Sequence, residues 1–264
     1  MKKIGILGGV DWRSTAVYYR ILNEEVRRRL GGKHSAHLLL ESFNFADVSA
    51  PRTEVDWQRV RGILRTAAQR LESAGADFWL MACNTLHRDA DKLESAVGIP
   101  LLHIADVAGK ALRARGIERV ALLGTQHTMQ GTFYAERLAS AHGVETMVPN
   151  HADQARIDHL IFEQLCRGTA PAEGRVFMDR VGSELCARGA QATLLACTEL
   201  RLLYRDEELH GRVGRAKDAP PVFDTTALHA LAAADLALSL SDAGTSADPP
   251  ALLPAAQHIS NVNS

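Results

Sequence analysis

Two cysteines occupy matching places in the two halves of this 264-residue chain. Cys83 closes the apolar run Phe78-Trp79-Leu80-Met81-Ala82 and precedes Asn84-Thr85. Cys197 closes Ala192-Thr193-Leu194-Leu195-Ala196 and precedes Thr198-Glu199. Upstream of each lies a strand-and-glycine segment, Ile4-Gly5-Ile6-Leu7-Gly8-Gly9 and Val120-Ala121-Leu122-Leu123-Gly124-Thr125. Gly8 to Cys83 is 75 residues and Gly124 to Cys197 is 73, within a repeat of 116 from Gly8 to Gly124. A duplicated fold with that spacing brings one thiol from each half to a shared cleft. A thiolate on one face of a carbon can then remove its proton while a thiol on the other face returns one. A free thiol ionises near pH ~8.5, and a helix N-terminus behind each cysteine would lower that value.

The elements that must hold these thiols read as alternating strands and helices, an α/β fold with largely parallel strands. Strands are predicted at residues 4–8, 36–45, 78–83 and 101–104 in the first half, with helices at 12–30 and 57–74, one running on to about 97, and one ending near 115. The second half repeats the rhythm with strands at 119–124, 144–148, 191–197 and 221–224. Its helices are predicted at 129–141, 153–167, 171–188 and from 225 or 226 to 240. Glycine closes several of these helices, as it does at a C-cap. Thr225 or Thr226 is expected to cap the last helix. The expected architecture is two pseudosymmetric lobes, each an open sheet flanked by helices, with the site between them. One lobe would comprise residues 1–105 with 225–240 and the other 106–224. Residues 241–264 are rich in proline and small polar residues and read as a flexible tail.

Ligands of open α/β sheets bind outside the carboxyl ends of the strands. Four loops converge there: Gly8-Gly9-Val10-Asp11, Cys83-Asn84-Thr85, Gly124-Thr125-Gln126 and Cys197-Thr198-Glu199. Each precedes a helix and can offer backbone N–H groups to a carboxylate. Asn84, Thr85, Thr125, Thr128 and Thr198 are expected to add neutral donors. The cleft thus suits a small substrate carrying one or more carboxylates. No GxGxxG or GxxxxGK[ST] segment supports a dinucleotide or nucleotide reading.

Composition excludes other classes. A formal charge of −1 leaves no basic footprint for nucleic acid. No stretch approaches 18 uninterrupted apolar residues, so no membrane span is expected. Lys2-Lys3 followed by the short run of residues 4–10 reads as a first strand rather than a leader, and a cytoplasmic location is expected. The four cysteines, Cys83, Cys166, Cys186 and Cys197, have neither CxxC nor zinc spacing, so free thiols and no metal are expected. Cys166 and Cys186 lie in helical patterns and read as small apolar fillers. His87 and His103 read as structural histidines.

The paired segments Ala82-Cys83-Asn84-Thr85-Leu86-His87 and Ala196-Cys197-Thr198-Glu199-Leu200 resemble the signatures of the cofactor-independent aspartate/glutamate racemase superfamily. The opening Ile4-Gly5-Ile6-Leu7-Gly8-Gly9-Val10-Asp11-Trp12-Arg13-Ser14-Thr15, with Tyr18-Tyr19, is similar to that of its amino-acid racemase branch. The likeness extends to Leu102–Asp106, Leu123–Thr125, Ile161–Glu163 and Phe223–Thr225, over about residues 1–240. It implies a homodimer that uses neither pyridoxal phosphate nor any other cofactor, with Cys83 and Cys197 as the two acid/base residues. It implies an acidic or small polar amino acid as substrate. The branch commonly has methionine and serine where this chain has Val10 and Asp11, so Asp11 puts a negative charge where a carboxylate would dock; it could alter substrate choice or simply cap the next helix through its side chain. Gly9, Val10 and Asp11 would line the substrate site. Arg52 could clamp a distal carboxylate, Arg156 aligns roughly with a lysine that binds carboxylate in relatives, and Glu199 could position an amino group or tune Cys197.

Two further readings fit the same residues. One is another reaction of the superfamily: maleate cis–trans isomerisation, hydantoin racemisation or decarboxylation. The other is a two-lobed module that binds a small molecule without turning it over.

Overall fold

The computed structural model describes residues 1–48, 51, 53–205, 209 and 220–239; Arg52 and the tail 241–264 lie outside the described residues. Two parallel sheets organise the chain. The first is built from β1 (Ile4–Gly8), β2 (Leu38–Ser42) and β3 (Phe78–Met81) in the order β2-β1-β3. The second is built from β4 (Arg119–Gly124), β5 (Glu145–Met147), β6 (Ala192–Ala196) and β7 (Val222–Asp224) in the order β5-β4-β6-β7. Within each half the first strand pairs with the second on one side and with the cysteine-bearing strand on the other. The registers Ile6↔Leu80 and Leu122↔Leu194 are counterparts. β1, β3 and β6 are buried along their whole length, as expected of parallel strands covered by helices on both faces.

The helices complete the layers. α1 (Trp12–Leu30) follows β1, and α2 (Phe45–Val48) and α3 (Glu54–Ser73) follow β2. Thr53 and Asp56 form a capping box at the head of α3, each side chain bonding the other's backbone N–H. Val60, Leu64, Ala67, Ala68 and Leu71 of α3 pack with Leu7, Trp79 and Met81 on one face of the first sheet. α10 (Thr225–Leu238) covers the other face together with α1. Its stripe of Ala230, Ala233, Ala234 and Ala237 lies against Ile4, Ile6, Tyr18, Leu22, Phe78 and Leu80. Small side chains at i, i+3, i+4 and i+7 let that helix approach the strands closely. The second sheet is sandwiched the same way. α5 (Ile104–Arg113) and α7 (Thr132–His142) lie on one face. α8 (His151–Glu163) and α9 (Ala172–Ala187) lie on the other.

Three elements differ from the expectation. The strand predicted at 101–104 reduces to a single parallel bridge between Trp79 and Leu101. The cause is His103, whose ring nitrogen accepts the Ala105 N–H and starts α5 at Ile104. The helix predicted at 129–141 is two helices, α6 (Gln126–Gln130) and α7, parted where Gly131 is extended. The helix predicted to run on to 97 is a 3₁₀ turn, Thr85–Asp89, and a short α4 (Ala90–Glu94). Among the described residues no helix is long and apolar enough to cross a membrane.

Candidate active site

β3 and β6 end one residue or two before their cysteines, so Cys83 and Cys197 stand at the carboxyl ends of equivalent strands. Both line one cavity of about 60 Å³, together with Val10, Asp11, Asn84, Thr85, Thr125, Thr198 and Glu199. Phe45, Val48, Trp57, Ile161 and Phe162 supply apolar wall, and His127 and Cys166 complete much of the rest.

Each cysteine loop is braced from the opposite half of the chain. Glu199, two residues past Cys197, accepts a hydrogen bond from Ser14 of α1 at 2.6 Å. The Thr85 and Thr125 hydroxyls meet at 3.0 Å. Thr225, at the head of α10, donates to the Leu195 carbonyl at 2.8 Å and accepts from Asn84 Nδ2 at 3.0 Å. With its one hydrogen committed, Thr225 Oγ1 can only accept from the amide, which fixes the Asn84 orientation. Asn84 Oδ1 is left buried without a hydrogen bond.

The electrostatics around the thiols differ from the sequence expectation. The backbone N–H groups of Leu86 and Thr85 do pull Cys83 down, as a helix start should, but burial outweighs them. Burial, followed by the negative charge of Glu199, pushes the Cys83 thiol up to about 12. Burial also raises Cys197 well above the usual thiol range, reinforced by the Glu199 charge and by the hydrogen bond Cys197 donates to Glu199 Oε2 at 2.9 Å. Both effects favour the neutral thiol on each sulfur at pH 7.

Other expected site residues fall in three places. Gly9 is not in the wall. It donates to Thr15 Oγ1 at 2.8 Å and has φ of 84°, and a Cβ there would collide with the Phe43 backbone. Its part is to turn the chain so that Val10 and Asp11 reach the cavity. Thr128 lies behind the wall, fully buried and bonded to Thr125 Oγ1 at 3.1 Å. Arg156 is exposed on α8 and stacks over Phe177 at 4.1 Å, away from the cavity. Thr198 and Asn84 line the cavity but do not offer the donors expected of them: Thr198 spends its hydroxyl on Glu199 and Asn84 its amide N–H on Thr225. The last helix is capped by Asp224, which accepts from Thr226 and Ala227 N–H groups, leaving Thr225 free for its bracing role.

Three contributors went unrecognised in the sequence: Ser14, Thr225 and Cys166. Ser14 and Thr225 lie inside the segments that resemble the racemase superfamily, which is the signal the sequence offers for them. Cys166 has the sequence pattern of an apolar filler, yet it lines the cavity. Its sulfur lies with Asp11 and Glu199 in a group whose ligand atoms are all within 4.8 Å of one another. This group, among the described residues, has the spacing to hold a cation. Both of its carboxylates are already hydrogen-bonded, Asp11 to Arg13 and Glu199 to Ser14, Cys197 and Thr198.

Behind Cys83 lies a cluster of buried histidines. His87 Nδ1 meets the Cys83 carbonyl at 2.8 Å and its Nε2 accepts the Ile104 N–H at 3.3 Å, tying the loop to α5. His229 bridges the Tyr18 hydroxyl and the Leu102 carbonyl. Burial holds all three rings neutral: His87 well below its ordinary range, His103 down to about 2 with the Arg137 charge adding to the effect, and His229 down to about 4. An unfolded histidine takes up a proton near pH ~6.5, so below that pH the unfolded chain binds protons the folded one refuses. Stability is thus full above pH ~6.5 and is lost as pH falls toward the folded values, by about 1.4 kcal/mol per unit for each ring. Urea titrations between pH 7 and pH 4.5 should show the unfolding midpoint dropping steeply; a flat profile would show that these rings are protonated in the fold.

Comparison with known proteins places these features. A family model described as Asp/Glu/hydantoin racemase matches residues 7–233. The broad specificity amino-acid racemase RacX of Bacillus subtilis is 25% identical over 158 residues, which span 58% of this chain and 66% of that protein, just under two thirds of its length. A Yersinia pestis structure assigned to the Asp/Glu racemases is 41% identical, with a TM-score of 0.80 over 90% of this chain and 100% of that one. An aspartate racemase homologue from Pyrococcus horikoshii is 31% identical, with a TM-score of 0.75 over 90% of this chain and 99% of that one.

Proposed function

This chain belongs to the Asp/Glu/hydantoin racemase family, and from that premise we propose that it racemises an amino acid by proton transfer between Cys83, Cys197 and Cα. The observation that carries the reading is that two thiols from equivalent loops of two like-ordered sheets line one small cavity. The names of its relatives, amino-acid and aspartate racemases among them, point the same way.

The residues suggest how the steps run. The substrate carboxylate meets loop N–H groups and the hydroxyls of Thr85 and Thr125. Its ammonium meets Asn84 Oδ1, which otherwise has no partner, and Glu199. That positive charge opposes the burial that keeps the thiols protonated, so ionisation follows substrate entry. Glu199, already accepting the Cys197 S–H, takes the proton and leaves a thiolate. One sulfur removes the Cα hydrogen, the carbanion flattens against its own carboxylate, and the opposite thiol delivers a proton to the other face. Each inversion moves one proton from Cα to one sulfur and one from the other sulfur to Cα; the donor sulfur is left as thiolate and Glu199 protonated, and proton exchange of both with solvent restores the starting state. Neither pyridoxal phosphate nor a metal is required. A reducing, cytoplasmic setting suits four free cysteines.

The test is to incubate the purified protein, without added cofactor, with single enantiomers of a panel of amino acids in deuterium oxide. Each accepted enantiomer should approach the racemate, with one solvent deuteron at Cα in every inverted molecule. Turnover of maleate or a hydantoin, with no Cα exchange in any amino acid, would assign the site to a different reaction of the family.

A further inference from the structure

The polar lining of the cavity is unbalanced toward acceptors. Its charged members are Asp11, 4% exposed, and Glu199, 5% exposed, and both are carboxylates. Asn84, 2% exposed, adds an amide oxygen with no hydrogen bond. Of the side-chain donors, Thr198 is spent on Glu199 and Asn84 Nδ2 on Thr225, Thr85 and Thr125 share one hydrogen between them, and the remaining N–H groups of the lining are those of the His127 and Trp57 rings. Among the described residues lining the cavity there is no lysine or arginine. Arg13 is the nearest compensating cation, 3.4 Å from Asp11. The same Nη1 donates at 2.8 Å to the Cys166 carbonyl, and the side chain is 37% exposed. A side chain that complements these two carboxylates in charge brings a cation rather than a further anion.

Resting on the racemase reading above, we propose that the site selects amino acids with a single carboxylate. Side chains ending in a cation, of the lysine and ornithine class, are preferred; uncharged side chains come next, and aspartate and glutamate last. Asp11 is the specificity-determining residue. Its carboxylate, at the head of α1 and beside Glu199 and Cys166, attracts a distal ammonium and repels a distal carboxylate. The apolar wall of Phe45, Trp57 and Phe162 accommodates the methylenes between the two ends. This order departs from the acidic or small polar substrate that the sequence led us to expect.

The experiment measures kcat/KM for L-lysine, L-methionine and L-aspartate, and their binding by calorimetry, with the wild-type protein and with Asp11→Asn. Asparagine caps a helix as well as aspartate does, so the fold is preserved while the charge is lost. The wild type should favour lysine over aspartate by at least ~100-fold, with methionine between. In Asp11→Asn the lysine-to-aspartate ratio should fall at least tenfold. A wild type that favours aspartate overturns the inference, as it would if Arg52, outside the described residues, clamped a distal carboxylate. An unchanged ratio in Asp11→Asn overturns the role of Asp11. Should no amino acid turn over, calorimetry still decides. Lysine binding more tightly than aspartate upholds the selectivity while ending the racemase reading. Aspartate binding more tightly, or no binding of any of the three, ends the inference whatever the reaction.

Discussion

Replacing either Cys83 or Cys197 with alanine should lower racemisation by about 10³-fold or more, the scale of a lost general acid or base at the reacting atom. The two single variants should then part company in a second measurement. Each keeps one sulfur, which can still remove and return a proton on its own face of the substrate. Cys83→Ala should exchange the Cα hydrogen of one enantiomer with solvent deuterium without inverting it, and Cys197→Ala should do so for the other. Because an enantiomer pair has an equilibrium constant of one, kcat/KM for the two directions must fall together in either variant, so only the exchange assay separates the faces. Serine at 197 is the control for packing, since that side chain lies in the core cluster with Leu195 and Leu200. If both variants exchanged the same enantiomer, the sulfurs would not stand on opposite faces, and the two-base scheme would fail.

Glu199→Gln is the second large effect expected, a fall of about 10²-fold in kcat/KM. Glutamine matches the shape but cannot take a proton from Cys197. It also cannot satisfy Ser14, Cys197 and Thr198 at once, all three of which donate to the carboxylate. The sign of the pH effect is opposite to the rate effect. Glu199 raises Cys197 by its charge and by accepting the thiol hydrogen, so its removal lowers the thiol from that raised position. The ascending limb of the pH–rate profile should move to lower pH while the plateau drops. A Glu199 that served only to hold Ser14 and Thr198 would weaken thermal stability and leave the limb in place.

Much of the architecture is written in local pattern. β1 and β3 are apolar runs, and β4 and β6 are so apart from Arg119 and Thr193; short runs of this kind, closed by glycine or cysteine, suit interior strands of a covered parallel sheet. Their carboxyl ends locate the loops before any coordinate is known. What local pattern does not carry is side-chain pairing across long separations. Ser14 reaches Glu199 over 185 residues and Thr225 reaches Asn84 over 141. Each is an ordinary hydroxyl at a helix start when seen alone. The direction of the thiol shifts was illegible for a related reason. A helix start is visible in sequence, but the depth of burial that outweighs it is set by the far half of the molecule. Arg156 shows the same limit, since nothing local says that α8 turns it toward Phe177 and solvent. Smaller misses trace to single residues, His103 shortening a strand to one bridge and Gly131 dividing a helix.

The alanine stripe of α10 has a consequence for how the protein is made. Ile4, Ile6 and Phe78 leave the ribosome well ahead of the alanine stripe that packs on their face. Until then α1 alone covers that face, and the part left for α10 is the kind of surface that chaperones bind and that drives aggregation. Packing of the first half is complete only when residues 230–237 meet the opening strand, and a chain that lacks α10 leaves part of that face open beside α1.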